Sequence, residues 1–519
     1  MSKFDKSRRF QMERLEARQM MARDTGAGLD GIPLDEPPGT EYEPPISEIE
    51  PPAYVGPIRN YRPNSPMTWA PLPHFEPNVP ESPTGDVTAK LIGGNLYLNE
   101  TPGFEGFDNG VLFTRLAGGR IRISGIDPNN SGAASRINGA EFVEFVVTGS
   151  LFINLGDGAN TVHFEYNPES DHTFQDVVIN GGADVDRIFI ESLKTLGSLH
   201  MNLGAGGNSV LLQGGGDGDI VIGDGFGWDA MSIHTGGGAD RVTIRNGAQI
   251  NGALDIQTYA SLSENDLDFV YFDFNAFVLR DVNISMGGGD DFLHLTEPNI
   301  DTNVQPLFLG ALETHGSLIV DMGAGNDVVF MRGIKTHGDL TVLTGAGADK
   351  VTIDHTFIDI PFDEQNFVSS VGGNLEIQTY DSLDETDRDE VRIIDATVLG
   401  TLRARLGGGM DYFLLDRAEI IKNDFDLDMG DGDDTADISG FVLDEVMARM
   451  GEGHDVLTLG KTYASRLTAD GGNGYDTLKT TDKLIAPEIY ELAWEMINGL
   501  PTWQQQLGPG PGGGVIGTP

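Results

Sequence analysis

Short runs of alternating apolar and polar residues fill most of this chain, and glycine bounds nearly every run. The clearest stretch, residues 316–357, contains one pattern twice, with an offset of 22 residues at every landmark. Each copy has a turn glycine, an alternating run, a Gly-x-Gly-x-Asp corner and a second short alternating run. Alternation is typical of β-strands, and a fixed period of about 20–50 residues is typical of solenoids. We therefore predict an all-β fold, a single-chain parallel β-solenoid with coils of about 21–22 residues.

The corner recurs along most of the chain. Where the first turn is clear, its glycine precedes the corner glycine by seven residues, as at Gly316 and Gly323. Runs that follow Gly94 and Gly119 lack the corner and are predicted to be degenerate terminal coils. A right-handed coil is expected from the preference of β-crossover connections. Corners begin at Gly156, Gly204, Gly225, Gly236, Gly287, Gly323, Gly345, Gly407, Gly430, Gly451 and Gly472.

Two coils replace the corner by a longer acidic loop. Residues 255–270 match residues 376–391 at an offset of 121, which indicates that a block of several coils has been duplicated. We expect these loops to be solvated, with metal binding as the alternative. Their carboxylates are Glu264, Asp266 and Asp268 in the first loop, and Glu385, Asp387 and Asp389 in the second.

The segments that flank the solenoid differ from it in composition. Fifteen of the 26 prolines lie between Pro33 and Pro83, which is typical of an extended spacer. Apolar residues recur at helical spacing over residues 485–498, where we predict a capping helix. The predicted organisation is a basic export- or sorting-like segment at 1–23, a Pro-rich linker at 24–85, the solenoid at 86–482, a cap at 483–507 and a disordered Gly/Pro tail at 508–519.

Charge and composition narrow the class of partner. The 80 acidic and 33 basic residues give a net charge of −47, which argues against nucleic acid and anionic membranes as partners and favours multivalent cations. The absence of cysteine excludes disulfides and Cys-based zinc sites. No run of about 18 apolar residues occurs, so we predict no membrane-spanning segment.

The Gly-x-Gly-x-Asp corner resembles the calcium-binding nonapeptide of RTX-type β-rolls. Residues 471–479 match that motif in full, and residues 214–231 come near a tandem pair. The resemblance implies Ca²⁺ held between stacked turns, although the other corners lack the first glycine and recur every 21–22 residues instead of every nine. Because one turn cannot supply six to eight oxygen ligands, consecutive coils would have to share each ion. The candidate ligands are Asp219, Asp229, Asp327, Asp349, Asp411, Asp434, Asp455 and Asp476.

Structural roles are the alternative for these candidates. Each corner aspartate can cap its own turn through an Asx-type hydrogen bond. The additional acids Asp431, Asp433 and Glu452 strengthen the calcium interpretation for the last corners. His315 and His337 occupy equivalent turn positions, and we expect two neutral turn histidines there, with a transition-metal site as the alternative.

The N-terminal segment adds a second resemblance. Leu15, Glu16, Arg18 and Ala22 resemble a short motif of exported surface proteins from planctomycete-type bacteria, with methionine in place of its two leucines. The combined expectation is a non-enzymatic, exported β-solenoid at the cell surface or outside the cell, with an adhesive or structural role, calcium stabilisation, and polysaccharide or cell-surface components as partners. The alternative is a carbohydrate-active β-helix enzyme, a polysaccharide lyase or hydrolase, whose carboxylates would act beside a basic residue.

Overall fold

The computed structural model describes residues 85–128, 133–167, 172–214, 220–225, 229–273, 276–296, 311–354, 369–380, 386–420, 423–481, 484–497 and 500–501. The predictions for the basic segment, the linker before residue 85 and the tail at 508–519 fall outside these ranges. Among the described residues, no helix is long and apolar enough to cross a membrane.

The described chain consists of β-strands and their connections. In chain order the strands are β1 (Asp86–Ile92), β2 (Asn95–Glu100), β3 (Gly110–Leu116), β4 (Arg120–Gly125), β5 (Arg136–Ile137), β6 (Phe142–Val146), β7 (Leu151–Asn154), β8 (Thr161–Phe164), β9 (Val177–Asn180), β10 (Arg187–Ile190), β11 (Leu193–Lys194), β12 (Leu199–Asn202), β13 (Ser209–Gln213), β14 (Ile220–Ile222), β15 (Asp229–His234), β16 (Arg241–Arg245), β17 (Gln249–Ile250), β18 (Ala253–Gln257), β19 (Phe269–Asp273), β20 (Ala276–Val278), β21 (Val282–Ser285), β22 (Phe292–Thr296), β23 (Leu312–Thr314), β24 (Leu318–Asp321), β25 (Val328–Arg332), β26 (Ile334–Thr336), β27 (Leu340–Leu343), β28 (Lys350–Asp354), β29 (Ser369–Val371), β30 (Leu375–Gln378), β31 (Glu390–Ile394), β32 (Ala396–Val398), β33 (Leu402–Arg405), β34 (Tyr412–Ile420), β35 (Phe425–Asp428), β36 (Thr435–Val442), β37 (Glu445–Arg449), β38 (Glu452–Gly453), β39 (Val456–Tyr463), β40 (Arg466–Asp470), β41 (Asn473–Gly474), β42 (Thr477–Thr480), β43 (Glu488–Leu492), β44 (Met496–Ile497) and β45 (Leu500–Pro501).

One complete coil contains three strands, and the sequence pattern indicated two. In the coil formed by β24, β25 and β26, the Gly-x-Gly-x-Asp corner separates the first two strands. The third strand follows the second after one glycine, Gly333, whose φ is +65°. It is three residues long, too short for alternation to reveal it in the sequence.

Equivalent strands of successive coils pair in parallel and in register. The first strands form a 17-stranded sheet, in which β24 pairs with β27 and β27 with β30. The second and third strands form the other large sheet, as in the pairings of β25 with β28 and β26 with β29. In the last coils the second and third strands fuse into β34, β36 and β39. The parallel β-solenoid predicted from the sequence is confirmed.

Antiparallel hairpins close the N-terminal end, so the prediction of degenerate terminal coils is only partly right. The run after Gly94 (β2) stacks in parallel on β7, as such a coil should, whereas the run after Gly119 (β4) makes only antiparallel pairs. Strand β1 pairs antiparallel with β2, and β4 pairs antiparallel with β3 and β6. The β1–β2 connection is the pair Gly93 and Gly94, with φ of +61° and +90°. A two-residue Gly-Gly loop between alternating runs is a hairpin signal, because both positions require positive φ.

The predicted C-terminal capping helix over residues 485–498 is also wrong. Strand β43 pairs in parallel with β40, and β44 pairs with β42, so this stretch continues the solenoid. Trp494 lies between the two strands, is 6% exposed, and donates its indole N–H to the carbonyl of Ala469 at 3.0 Å. The preceding coil has unpaired backbone N–H and C=O groups along its edge. A strand can satisfy them and a helix cannot, so residues 485–498 form strands.

Stacked apolar columns form the core. Leu318, Leu340, Leu375 and Leu402 follow one another in register in the first sheet, and all are fully buried. The corner glycines permit this stacking. At Gly325, where φ is +146°, an added Cβ would lie 1.8 Å from the carbonyl oxygen of Gly289 in the preceding coil.

The substitution Gly325→Ala tests this packing. We expect a loss of more than about 4 kcal/mol in the free energy of unfolding, because two backbones would have to separate at a hydrogen-bonded corner. The matched control is Gly93→Ala. Its φ of +61° is also positive, but an added Cβ there meets no atom within 4 Å, so we expect only the conformational cost of about 1–2 kcal/mol. Thermal melting followed by circular dichroism measures both, and equal losses would contradict the packing argument.

Candidate functional site

A single column of buried asparagine and aspartate side chains runs along the corners. Every member is at most 2% exposed. We call this column the corner ladder. It comprises Asn109, Asn160, Asp186, Asn208, Asp240, Asp268, Asp291, Asp327, Asp349, Asp389, Asp411, Asp434, Asp455 and Asp476.

The ladder is continuous because each side chain after Asn109 accepts a hydrogen bond from the coil before it. The backbone N–H of Asp327 donates to Oδ1 of Asp349 at 2.8 Å, and the N–H of Asp434 donates to Oδ1 of Asp455 at 2.8 Å. The same bond joins each consecutive pair, and Glu495 ends the series by accepting from the N–H of Asp476 at 2.7 Å. Each corner N–H is thus satisfied inside the protein, where an unpaired donor would be costly.

The asparagine positions show what the second polar atom of the side chain does. Nδ2 of Asn208 donates to the carbonyl of Gly206 at 2.8 Å and to that of Thr235, in the next coil, at 2.7 Å. Nδ2 of Asn160 donates to the carbonyl of Gly158 at 2.8 Å. At these asparagine positions the second side-chain atom therefore faces carbonyl oxygens and has to be a donor. At Asp186 and Asp389 it faces a donor instead, because Oδ2 accepts from the N–H of Gly182 at 3.2 Å and from the hydroxyl of Thr379, respectively. Where Oδ2 of an aspartate has no such donor, a proton on the oxygen or a cation beside it satisfies the site.

In several aspartates of the ladder, the second carboxylate oxygen has no hydrogen-bond donor beside it among the described residues. Oδ2 of Asp291, Asp327, Asp434, Asp455 and Asp476 is buried without a hydrogen-bond partner among the described atoms. Burial, reinforced by neighbouring carboxylates, outweighs the backbone hydrogen bonds and raises the pKa of the carboxyls. The pKa is raised to about 9 for Asp240 and Asp349, to about 8 for Asp268, Asp291, Asp389 and Asp434, to about 7 for Asp186 and Asp327, and to about 6 for Asp455.

The structure places six of the eight predicted metal ligands in the corner ladder. These are Asp327, Asp349, Asp411, Asp434, Asp455 and Asp476. Asp219 lies outside the described residues, and Asp229 is the first residue of β15, with nothing described of its side chain. Oδ1 of each of the six accepts from the preceding coil, so the aspartates link coils and do not merely cap their own turns.

The corner carbonyls are engaged in bonds between coils. The carbonyl of Gly407 accepts from the N–H of Asp431 at 2.9 Å, and the carbonyl of Asp431 accepts from the N–H of Gly409 at 2.7 Å. Glu452 repeats both bonds with Gly430 and Gly432, at 3.1 and 2.6 Å. An ion between two of these corners would thus have to share oxygens that already accept a hydrogen bond, or use the exposed carboxylates of Asp431 and Glu452.

The acidic loops contribute to the same column, which sequence reasoning missed. Asp268 and Asp389 are each 1% exposed and hold the ladder positions of coils that have no Gly-x-Gly corner. Asp266 lies next to the corner of the preceding coil, where its Oδ2 accepts from the N–H of Gly238 at 2.6 Å. The signal was present in the sequence, because each loop ends in an aspartate directly before an alternating run, as each corner does.

Two other polar groupings lie on the surface of the described coils. His163 and Glu191 line a shallow depression on the second large sheet, with Nε2 and Oε1 3.7 Å apart. Glu313, His315 and His337 form the one group of three His, Cys, Asp or Glu residues in the described ranges whose donor atoms all lie within 4.8 Å of one another. The ladder aspartates do not meet that criterion.

Comparison of the chain with protein-family models, with curated proteins and with solved structures finds no match.

The raised pKa values of the ladder predict that alkali destabilises the protein. A carboxyl whose folded pKa exceeds its unfolded value of about 4 contributes its full stability below pH 4, and loses that contribution as the pH rises towards the folded pKa, here about 6 to 9. Each ionised group costs about 1.4 kcal/mol per unit of raised pKa before relaxation. We expect the melting temperature in chelator to fall continuously from pH 5 to pH 9.5.

The substitution Asp349→Asn tests the cause. Asparagine keeps the Oδ1 acceptor and supplies the donor, as Asn208 does naturally, so the variant should lose less stability than the parent between pH 5 and pH 9.5. Asp290→Asn, at an exposed corner position whose Oδ1 accepts from the N–H of Asn326, is the matched control and should leave the slope unchanged. A melting temperature that is constant or rises over this range would rule out a protonated ladder.

Proposed function

We propose that this protein is a non-enzymatic β-solenoid that acts outside the cell or at its surface, in adhesion or in building an extracellular layer. The observation that carries the proposal is the corner ladder. From Asn109 to Asp476 the corner position of successive coils has a buried amide or carboxyl in the same role. Its acidic residues therefore join successive coils, which suits a protein whose role is structural.

The distribution of charge supports the same proposal. The outward positions of the strands hold many carboxylates, and some of them pair with a cation, as Asp426 does with Arg449 at 2.8 Å. A net charge of −47 keeps such a solenoid soluble and attracts multivalent cations to it. The preceding spacer of prolines and the basic N-terminal residues, which resemble an export motif, are consistent with presentation at a surface.

Localisation tests the proposal directly. Antibodies raised against the purified solenoid should label intact cells of the organism that makes the protein, without permeabilisation. A chain that lacks residues 1–23 is the matched variant. It retains every described coil, and we expect it to stay inside the cell. Labelling that appears only after permeabilisation would refute a role outside the cell, whatever the protein binds.

We also propose that calcium stabilises the last corners. Asp431, Asp433 and Glu452 are exposed and belong to the same corners as the buried Asp434 and Asp455, so each of these turns has exposed and buried carboxylates. An isolated parallel β-bridge pairs Asp431 with Glu452, so their backbones lie as far apart as those of adjacent strands. Hard oxygen donors at this spacing suit Ca²⁺ shared between coils.

Calorimetric titration of Ca²⁺ into chelator-stripped protein, with a melting curve of each sample, measures this stabilisation. We expect micromolar to millimolar affinity, a higher melting temperature, and a larger increase at pH 9 than at pH 5, because a cation compensates ionised carboxylates and not protonated ones. The triple variant Asp431→Asn, Asp433→Asn, Glu452→Gln should lose the effect, whereas Asp290→Asn should keep it. Absence of heat with an unchanged melt would remove calcium from the proposal and leave the localisation experiment unaffected.

A further inference from the structure

Two histidines and a glutamate meet on the outer surface of two neighbouring coils. Glu313 lies in β23 and His315 follows that strand directly, while His337 follows β26 one coil later. Strands β23 and β26 pair in parallel, with Glu313 opposite Lys335. The N–H of His337 donates to the carbonyl of Thr314 at 3.0 Å, so regular strand pairing continues up to the two imidazoles.

The distances between the three side chains match those of metal ligands. Oε1 of Glu313 lies 3.1 Å from Nε2 of His337 and 3.8 Å from Nε2 of His315. In tetrahedral zinc sites with bonds of about 2.0–2.1 Å, neighbouring donor atoms are about 3.3–3.4 Å apart. The imidazole rings lie 4.5 Å apart between centroids. Small side-chain rotations would therefore bring all three donors to one ion.

We propose that Glu313, His315 and His337 bind a divalent transition-metal ion of the zinc type. Two imidazole nitrogens and one carboxylate oxygen suit Zn²⁺, Cu²⁺ or Ni²⁺, whereas Ca²⁺ prefers oxygen donors alone. Three protein ligands leave one position of a tetrahedral ion open to water or to a donor from a partner. The site is distinct from the corner ladder and is independent of the calcium proposal.

Buried groups beneath the site hold its backbone in place. Thr314 and Thr336, fully buried or nearly so, precede the two histidines. The hydroxyl of Thr336 donates to the carbonyl of Gly338 at 3.2 Å, and the hydroxyl of Thr314 accepts from the N–H of Gly316 at 3.2 Å. Such support orients metal ligands before the ion arrives and preserves affinity.

The ring of Phe277 packs edge-on against His315, with centroids 5.0 Å apart. This contact limits the rotation of the first imidazole. The side chains of Glu313, His315 and His337 remain 39%, 43% and 44% exposed, so an ion can reach all three from solvent.

In the structure, the ammonium group of a lysine lies beside Glu313, where the metal ion would bind. Nζ of Lys335 lies 2.9 Å from Oε1 of Glu313. The same oxygen lies 3.1 Å from Nε2 of His337, so both the lysine and the histidine already bond the carboxylate that would face the ion. A metal ion would displace the ammonium group, which can swing into solvent on its flexible stem.

Zinc titration of the full-length, chelator-stripped protein tests the site. We expect one ion per chain by calorimetry, unaffected by excess Ca²⁺, and visible d–d absorption of tetrahedral type when Co²⁺ is used as the probe. His315→Ala and His337→Ala should each weaken binding about tenfold or more. Lys335→Ala should tighten it, because the competing cation is removed.

The matched control is His234→Ala. That imidazole is also partly exposed and bonds a carboxylate, Asp255, at 3.1 Å, but among the described residues it belongs to no group of three such ligands. Its removal should leave zinc affinity unchanged, and circular dichroism should show that every variant is folded. Absence of zinc binding, or zinc affinity equal in the parent, His315→Ala and His337→Ala, would overturn the proposal.

Discussion

The structure depends on one requirement, which is that the backbone N–H inside each corner find an acceptor away from water. A turn through glycine frees that N–H from the strand ladders, and the tight stacking of coils denies it a solvent partner. The oxygen of an asparagine or aspartate in the next coil meets the requirement. Strand register, coil spacing and the choice of glycine at the corner all follow, because each must preserve the bond from Asp327 to Asp349 and its equivalents.

The ladder explains why a chain rich in carboxylates keeps so many of them inside. A buried carboxylate is costly when charged, but a protonated carboxyl behaves much as asparagine does, with one acceptor and one donor. Both residue types supply the Oδ1 acceptor at this position, as Asn160, Asp186 and Asn208 show in successive coils. They differ at the second atom, which donates in asparagine and, in an ionised aspartate, can only accept.

Much of the fold could be predicted from the sequence because it is periodic. The 22-residue offset between the corners of Gly323 and Gly345 identified the coil, the parallel pairing and the register. The two ends could not be predicted as well, since terminal strands lack a neighbour on one side. Gly93 and Gly94 form a hairpin tip, and Ile489 belongs to a last strand although its neighbours have helical spacing. The site was predicted in part. The corner aspartates were found, but their burial depends on side-chain direction, which spacing alone does not reveal.

The duplicated block shows how such a chain can lengthen. Gly287 and Gly407 each lie against the Cβ of a tyrosine, Tyr259 and Tyr380, and an added Cβ would be 2.6 Å away in both cases. The same contact therefore occurs twice in places 120 residues apart in the chain. Every interface between neighbouring coils is of the same kind. Unequal recombination between such repeats therefore inserts whole coils without creating a new type of interface. The number of coils can thus vary while the N-terminal hairpins and the last coil stay as they are, so that the length of the solenoid can change without a change in the contacts between coils.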